Sequence, residues 1–278
     1  MVKAYLFAGS ITGSNPSTPP PRLKGNEMLD DLIGKIICAD CLDILKQLPD
    51  CSVDLVCTDC PYKIIGGGCA TGTYGNLRGC GRCAKKWETA GQLDENYENV
   101  KSGKMFDNND IKFEQWLPEI YRVLKDNTHC YIMVNGRNLA ELQKQAEKVG
   151  FVYQNLLVWE KGNATPNKFY LNACEFILML RKGGERWIND MGTKTILKVP
   201  NQIGDKYHPT EKPVGLMEIL IANSTNENDI VLEPFAGAGA TCIAARNLKR
   251  RFIGIEIDET YCETANKRLE MAQQQTLF

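Results

Sequence analysis

Residues 230–241 read IVLEPFAGAGAT, a short apolar run that leads through two glycines into a predicted helix. Glycines between a strand and a helix permit a tight turn and let a ligand approach the backbone closely. About 20 residues further on, Glu256 ends the next apolar run, where an acidic side chain can bind both hydroxyls of a ribose. The segment therefore predicts a strand, a ligand-binding turn and a helix. Without a ligand, the same residues would form a structural turn beside a surface acid.

Strand-like and helix-like segments alternate on both sides of this turn. This alternation predicts an α/β fold with a mostly parallel sheet covered by helices on both faces, and ligands outside the carboxyl ends of the strands. The predicted strands span residues 36–38, 53–58, 130–134, 151–159, 174–180, 230–232 and 252–257. The predicted helices span residues 42–48, 113–124, 138–149, 213–223, 241–248 and 261–273.

Composition divides the chain into one large domain and a short leader. Residues 1–27 are rich in Ser, Pro, Gly and Thr and are predicted to be a leader, a tag or a disordered arm, with the domain at 28–278. Within that domain, residues 63–110 are too polar and too long for an ordinary connection. A second polar stretch covers residues 181–206.

The overall composition is that of a globular protein without a membrane span. The 278 residues are 43% hydrophobic and 24% charged, with a formal net charge of -1. No apolar run approaches the roughly 20 residues that a membrane span needs. A nucleic-acid partner would therefore require local basic patches rather than a basic surface throughout. The 12 cysteines, without an evident signal peptide, indicate free thiols in a reducing cytoplasm.

A second motif follows another apolar run, Val53 to Cys57, with the sequence TDCPY at residues 58–62. Asp59 offers a carboxylate acceptor, and Pro61 rigidifies the turn and fixes where the carbonyl of residue 60 points. Tyr62 offers an aromatic face, and stacking of a base on such a face contributes about 1–3 kcal/mol. Two acceptors and an aromatic face suit an exocyclic amino group on a flat base. The alternative is a strand-end turn with a packed tyrosine.

The glycine turn also indicates which ligand it holds. It lacks the Gly-Lys-Ser/Thr of a phosphate-binding loop and the third glycine of the dinucleotide fingerprint. These absences favour a ligand with a ribose but no pyrophosphate, and S-adenosylmethionine fits that description.

With these motifs in view, the chain resembles the amino-group DNA methyltransferases, which methylate adenine N6 or cytosine N4. More narrowly it is similar to their circularly permuted β class, in which the catalytic motif precedes the cofactor motif. That resemblance implies a Rossmann-like S-adenosylmethionine-dependent methyltransferase fold. The matching segments are 37–42 with 54–62, then 208–213 (HPTEKP), the glycine turn, and the closing helix at 261–269.

The resemblance also implies roles for individual residues. Asp40 would contact the cofactor adenine, and the segment with Thr210 and Lys212 would hold its methionine end. The catalytic residues would be Asp59, Cys60, Pro61 and Tyr62, with no metal. The cofactor-binding residues would be Asp40, Thr210, Lys212, Glu233, Phe235, Ala236, Gly237, Gly239, Thr241 and Glu256.

The chain departs from the family pattern at four of its motif positions. Cys60 stands in place of the first proline of the catalytic motif, and Glu233 in place of an aspartate. Ala238 and Ala240 replace a serine and a threonine, so the turn offers fewer hydroxyls to the cofactor.

The reaction that the resemblance implies is direct methyl transfer to a base flipped out of DNA, at a cost of a few kcal/mol. Within that family, an aspartate at the position of Asp59 favours adenine N6 over cytosine N4 as the methylated atom. The alternatives are a cytosine N4 enzyme, an RNA or protein amide methyltransferase, and a DNA-binding module without catalysis. We expect DNA as the partner, a cognate restriction enzyme, and the cytoplasm of a bacterial or phage-infected cell.

Two polar stretches are candidates for contacting the DNA. Between residues 61 and 87 the chain carries five basic residues, seven glycines and no acid, which suits mobile contacts to phosphates. Residues 181–206 are short for a target-recognition segment. Specificity would then be loose, or shared with a second subunit in a homodimer.

Four cysteines have the spacing of a zinc ribbon. They form the pairs Cys57-x-x-Cys60 and Cys80-x-x-Cys83. Cys57 is expected inside a buried strand, and a closed metal site there would clamp the turn that must admit the base. We therefore expect no metal, and we expect His129 to be structural.

Overall fold

The structure is a computed structural model that describes residues 25–61, 111–165, 170–201 and 211–275. None of the helices in these ranges is long and apolar enough to cross a membrane. The helices are α1 (Gly25–Leu32), α2 (Cys41–Leu45), α3 (Phe113–Val123), α4 (Leu139–Val149), α5 (Val214–Ser224), α6 (Ala240–Asn247) and α7 (Glu259–Gln275). The strands are β1 (Lys35–Cys38), β2 (Val53–Asp59), β3 (Leu124–Val134), β4 (Val152–Thr165), β5 (Asn172–Lys182), β6 (Ile196–Lys198), β7 (Ile230–Glu233) and β8 (Arg251–Glu256).

The strands form one eight-stranded sheet in the order β1-β8-β7-β2-β3-β5-β4-β6. Only β5 runs against its neighbours, β3 and β4, and every other pairing is parallel. The mostly parallel sheet that the sequence predicts is therefore confirmed. Strands β7 and β8, which come last in the chain, lie between β1 and β2, so the glycine turn and the TDCPY motif follow adjacent strands.

Helices cover both faces of the sheet, as predicted. Along β2, Leu55 and Cys57 face a core formed with α5, α6 and α7, whereas Val56 faces a second core formed with α2, α3 and α4. The alternation follows from the two-residue repeat of a strand. Because both faces are buried, β2 reads as a continuous apolar run rather than an alternating one.

Most element boundaries agree with the sequence prediction, and Gly150 ends α4 as expected. It adopts φ 117°, a left-handed conformation that glycine reaches without steric cost. A methyl group added there would meet the Tyr121 ring at 3.1 Å, so glycine is required for space as well.

Some boundaries differ from the prediction. Helix α1 begins at Gly25, inside the predicted leader, and residues 1–24 lie outside the described ranges. The polar stretch at 181–206 contains the short strand β6. Only Leu197 is buried in this three-residue strand, so the sequence there shows no alternating pattern from which to predict it. The predicted insertion at 63–110 also lies outside the described residues.

Candidate active site

The two motifs meet at one edge of the sheet. Strands β2 and β7 pair in parallel, with Leu55 opposite Val231 and Val56 opposite Leu232. Asp59 lies three residues beyond Val56, and Phe235 lies three residues beyond Leu232. Both residues therefore emerge at the same carboxyl edge of the sheet. The expected convergence of the TDCPY motif and the glycine turn is confirmed.

Glu233 ties the two motifs together. Its Oε1 accepts hydrogen bonds from Thr58 Oγ1 at 2.5 Å and Phe235 N at 3.1 Å, and its Oε2 accepts from Thr241 Oγ1 at 2.8 Å. Burial raises the pKa of Glu233 to about 8, although these donors oppose the shift. Both oxygens are thus directed to protein donors, and Thr241 faces Glu233. Glutamate is one methylene longer than the aspartate of the family pattern.

Asp59 lies at the end of a line of alternating charges. Lys212 Nζ is 2.5 Å from Asp59 Oδ2 and 3.5 Å from Glu175 Oε2. Lys161 Nζ in turn lies 3.1 Å from Glu175 Oε1. The line draws on β2, β4, β5 and the residues just before α5.

Burial and these neighbours set the charge states. Burial raises the pKa of Asp59, Lys212 lowers it, and Glu175 raises it again, so the net direction is upward. Burial alone would lower the pKa of Lys212, but the two carboxylates outweigh it and raise the pKa. Burial would also raise the pKa of Glu175, yet Lys212 and Lys161 bring it below its ordinary value. Lys212 is therefore a stable ammonium between two acidic groups.

Cys60 turns into the core beside Asp59. It is 2% exposed, and its thiol lies 3.8 Å from the Met133 carbonyl oxygen. Burial and nearby carboxylates raise the pKa of this thiol well above its ordinary value, so it stays neutral. A neutral buried thiol is a poor nucleophile. Pro61 follows it half-buried, whereas Tyr62, Cys80 and Cys83 lie outside the described residues.

The glycine turn is held by backbone hydrogen bonds. Ala236 N donates to Ile255 O at 2.8 Å, and Gly237 N donates to Glu256 Oε2 at 2.7 Å. Glu256 Oε1 accepts from Asp258 N at 2.9 Å. Gly239 adopts φ 80°, where an added Cβ would lie 3.0 Å from Ile36 Cδ1. The turn therefore packs against β1 as well as β8.

Carboxylates surround this turn. Asp40 follows β1, whose Cys38 pairs with Glu256, and Asp40 Oδ1 caps α2 by accepting from Leu42 N at 2.8 Å. Residues 233–241 contain no lysine or arginine. The carboxylates of Asp40 and Glu256 suit ribose hydroxyls and a cationic ligand. The set fits S-adenosylmethionine, which has a ribose and a sulfonium. Thr210 lies outside the described residues.

A side chain of α7 also holds the glycine turn. Arg268 of α7 donates to Ala238 O at 2.5 Å and lies 2.6 Å from Glu211 Oε1. These contacts tie the closing helix and Glu211, the residue before Lys212, to the turn.

The sequence prediction missed Glu175 and Lys161 as residues of this site. Glu175 is a charged residue near the start of an apolar run that forms β5, and that break in pattern was the available signal. His129 is buried, with Nδ1 2.8 Å from Ser224 Oγ and Nε2 3.1 Å from Arg186 O, which confirms its structural role.

Comparison with known proteins decides the family. Residues 53–267 match the family model N6_N4_Mtase, described as DNA methylase. The chain belongs to this DNA methylase family. The family recognised from the sequence motifs is thereby confirmed.

Curated members of the DNA methylase family resemble the chain over most of its length. The type II methyltransferase M2.DpnII of Streptococcus pneumoniae is 28% identical over 84% of this chain and 89% of its own. The type II methyltransferase M.HinfI of Haemophilus influenzae is 27% identical over 87% of this chain and 70% of its own.

Solved structures of DNA methylases share the fold. The complex of M1.HpyAVI with SAM matches with a TM-score of 0.60 and 28% identity, over 84% of this chain and 98% of that one. The cytosine-N4-specific PvuII DNA methyltransferase matches with a TM-score of 0.62 over 86% of this chain and 89% of that one. At 17% identity the PvuII enzyme shows the fold alone.

Proposed function

We propose that this DNA methylase transfers a methyl group from S-adenosylmethionine to N6 of a flipped adenine in DNA. One observation carries the proposal: Asp59, with Lys212 on its Oδ2, emerges beside the glycine turn, and Glu233 joins the two motifs. An amino-group acceptor and a cofactor turn are thus fixed relative to each other. Such positioning is the main contribution a protein makes to a direct transfer.

Asp59 and the Cys60 carbonyl accept the two N–H groups of the target, and Tyr62 stacks on its ring. These acceptors draw the amino lone pair out of conjugation and make the nitrogen nucleophilic. S-adenosylmethionine, when bound, supplies the methyl carbon: a new N–C bond forms, the C–S bond breaks with its electron pair left on sulfur, and the nitrogen loses one proton. Asp59, whose pKa is raised, is placed to take that proton.

The cofactor side is assigned from the carboxylates around the turn. Glu256 would bind the ribose hydroxyls while it holds Gly237, since each carboxylate oxygen can accept more than one hydrogen bond. Asp40 would contact the adenine of the cofactor. The backbone from Phe235 to Gly239 would lie against the remainder, and the neutral buried thiols take no part in the chemistry.

The choice of adenine rests on Asp59, since aspartate at this position favours N6 within the family. The circularly permuted β class is part of the same proposal. The supporting observation is that β2, with the catalytic motif, precedes β7, with the cofactor turn. Cytosine N4 is the alternative, because the family includes both kinds of enzyme.

Partners beyond DNA belong to the proposal as well. Two similar proteins are named type II methyltransferases, which supports a cognate restriction enzyme in a cytoplasmic modification system. Residues 63–110 would contact phosphates, and residues 181–206 would contribute to target recognition, alone or in a homodimer.

The test is an assay of the product. The protein is incubated with unmethylated DNA amplified in vitro and S-adenosylmethionine, and the nucleosides are identified by mass spectrometry. N6-methyladenine is the expected product. N4-methylcytosine would transfer the assignment to the alternative base, and the absence of any methylated base would overturn the proposal.

A further inference from the structure

A line of charged side chains lies behind Asp59, and methyl transfer by Asp59 alone does not require it. It alternates in sign from Lys161 through Glu175 and Lys212 to Asp59, with successive N–O distances of 3.1, 3.5 and 2.5 Å. The side chains of Lys161 and Lys212 are 11% and 7% exposed. Ammonium groups held this far from water need nearby carboxylates, and both carboxylates here come from the sheet.

We propose that Glu175 is a positioning residue for methyl transfer: backed by Lys161, it holds the Lys212 ammonium against Oδ2 of Asp59. This inference rests on the proposed function, because it gives Glu175 a role in that same reaction. Glu175 does not touch the substrate in this proposal and acts only through Lys212.

The contacts of Asp59 explain why that position matters. Of the two carboxylate oxygens of Asp59, Oδ2 accepts from Lys212, and among the described residues no donor reaches Oδ1. A carboxylate anchored by one oxygen cannot rotate freely, so the other oxygen keeps a fixed direction for the target amino group. The side chain of Asp59 is 22% exposed, which leaves room for that approach.

Lys212 needs a second anchor because its stem is flexible. A lysine ammonium sits on four methylenes and does not define its own position. Glu175 on β5 and Asp59 on β2 approach it from two different strands, which restricts the stem between them. Lys161 on β4 restrains Glu175 in the same way, so three strands determine where Asp59 points.

The same line of charges sets how strongly Asp59 binds a proton. The groups that face Asp59 are Lys212, which precedes α5, Glu175 of β5 and Glu233 of β7. Lys212 lowers the pKa of Asp59 more than Glu175 raises it, so a variant that releases Lys212 from Asp59 should raise that pKa, whereas loss of the Glu175 charge alone should lower it. The direction of the change therefore separates a positioning role from a direct effect of charge.

The test replaces the carboxylate by an amide of the same shape, Glu175→Gln. We expect the single-turnover rate of methyl transfer to fall about 10- to 100-fold, since small displacements of a reacting group have effects of this size. Because Lys212 is then held less closely against Asp59, we also expect the acidic limb of the pH–rate profile to move to higher pH, and the Kd for S-adenosylmethionine to change little. Glu160→Gln is the matched control, because Glu160 pairs with Lys198 at the surface.

A second variant and a second readout separate the outcomes. Glu175→Asp keeps the charge but withdraws it by one methylene, so it should lose rate and move the acidic limb in the same direction, to a smaller extent. If Glu175→Gln does not fold, a Glu175→Asp variant with the wild-type rate overturns the proposal. A folded Glu175→Gln with both the rate and the profile of the wild type also overturns it.

The second readout does not depend on activity. Carbon-13 NMR titration of the Asp59 carboxyl, assigned with Asp59→Asn, should give a higher pKa in Glu175→Gln than in the wild type. If the wild type transfers no methyl group, the proposed function fails. An unchanged or lowered Asp59 pKa in Glu175→Gln would instead overturn the positioning role.

Discussion

The loop after β2 and the loop after β7 lie side by side but are held in different ways. Asp59 is fixed by side-chain charges from three other segments, Lys161, Glu175 and Lys212. The glycine turn is fixed mainly through its own backbone: its N–H groups donate to Ile255 O and Glu256, and its Ala238 carbonyl accepts from Arg268. Charge pairs respond to pH and to single substitutions, whereas backbone contacts respond to backbone geometry. We therefore expect substitutions around Asp59 to impair methyl transfer and substitutions in the glycine turn to impair cofactor binding, each with little effect on the other property.

The strongest test of this separation is Asp59→Ala. We expect methyl transfer to fall by at least about 100-fold, because the acceptor for the amino group is lost. The glycine turn keeps its backbone contacts, so calorimetry should give a nearly unchanged Kd for S-adenosylmethionine. Asp43→Ala, at an exposed position of α2, is the control and should retain full activity. Substantial activity in Asp59→Ala would show that the catalytic assignment is wrong.

Lys212→Met tests to which side Lys212 belongs. The sequence motif assigns it to the cofactor, whereas its 2.5 Å contact with Asp59 assigns it to catalysis. We expect about a 10- to 100-fold lower single-turnover rate, with a smaller change in the Kd for S-adenosylmethionine. A larger loss of cofactor affinity than of rate would favour the motif's assignment.

Gly239→Ala should disturb the glycine turn through backbone conformation and steric contact, without changing any charge. The new Cβ would sit at φ 80°, 3.0 Å from Ile36 Cδ1 and 3.1 Å from Ala265 Cβ. We expect the free energy of unfolding, measured in urea, to fall by about 1–3 kcal/mol, together with weaker cofactor binding. Gly215→Ala is the control: it lies in α5 with no atom within 4 Å of the new methyl, and it should stabilise by about 0.5–1 kcal/mol. Equal effects of the two substitutions would contradict this view of the turn.

The last test concerns Glu233, which joins the two loops. Burial raises the pKa of Glu233 from 4.5 to about 8, so between those values the folded protein keeps a proton that the unfolded chain has lost. The free energy of unfolding should therefore decrease as pH rises through this range. In Glu233→Gln that decrease should be smaller, as urea titrations at several pH values can show. A pH dependence identical to the wild type would mean that Glu233 is ionised in the fold.

Much of the site could be predicted from the sequence because many of its residues lie at the ends of strands. Asp59 and Glu256 end parallel strands, Asp40 and the glycine turn come after parallel strands, and parallel strands end at one edge of the sheet. Glu175 could not be placed in the same way. Its strand β5 inserts antiparallel between β3 and β4, and chain order does not reveal which strands become neighbours. The bond between Thr58 and Glu233 depends on the pairing of β2 with β7 and was equally inaccessible.

The position of β7 and β8 in the middle of the sheet has a consequence for synthesis. Strand β2 ends about 170 residues before β7 begins. At about 5–20 residues per second, a ribosome needs roughly 10–35 s to supply that neighbour. During that interval β2 has one unpaired flank, and Leu55 and Cys57 lack the three helices that cover them in the finished protein. The centre of the sheet is thus the last part to close, and it closes in the step that brings the cofactor turn beside the catalytic motif.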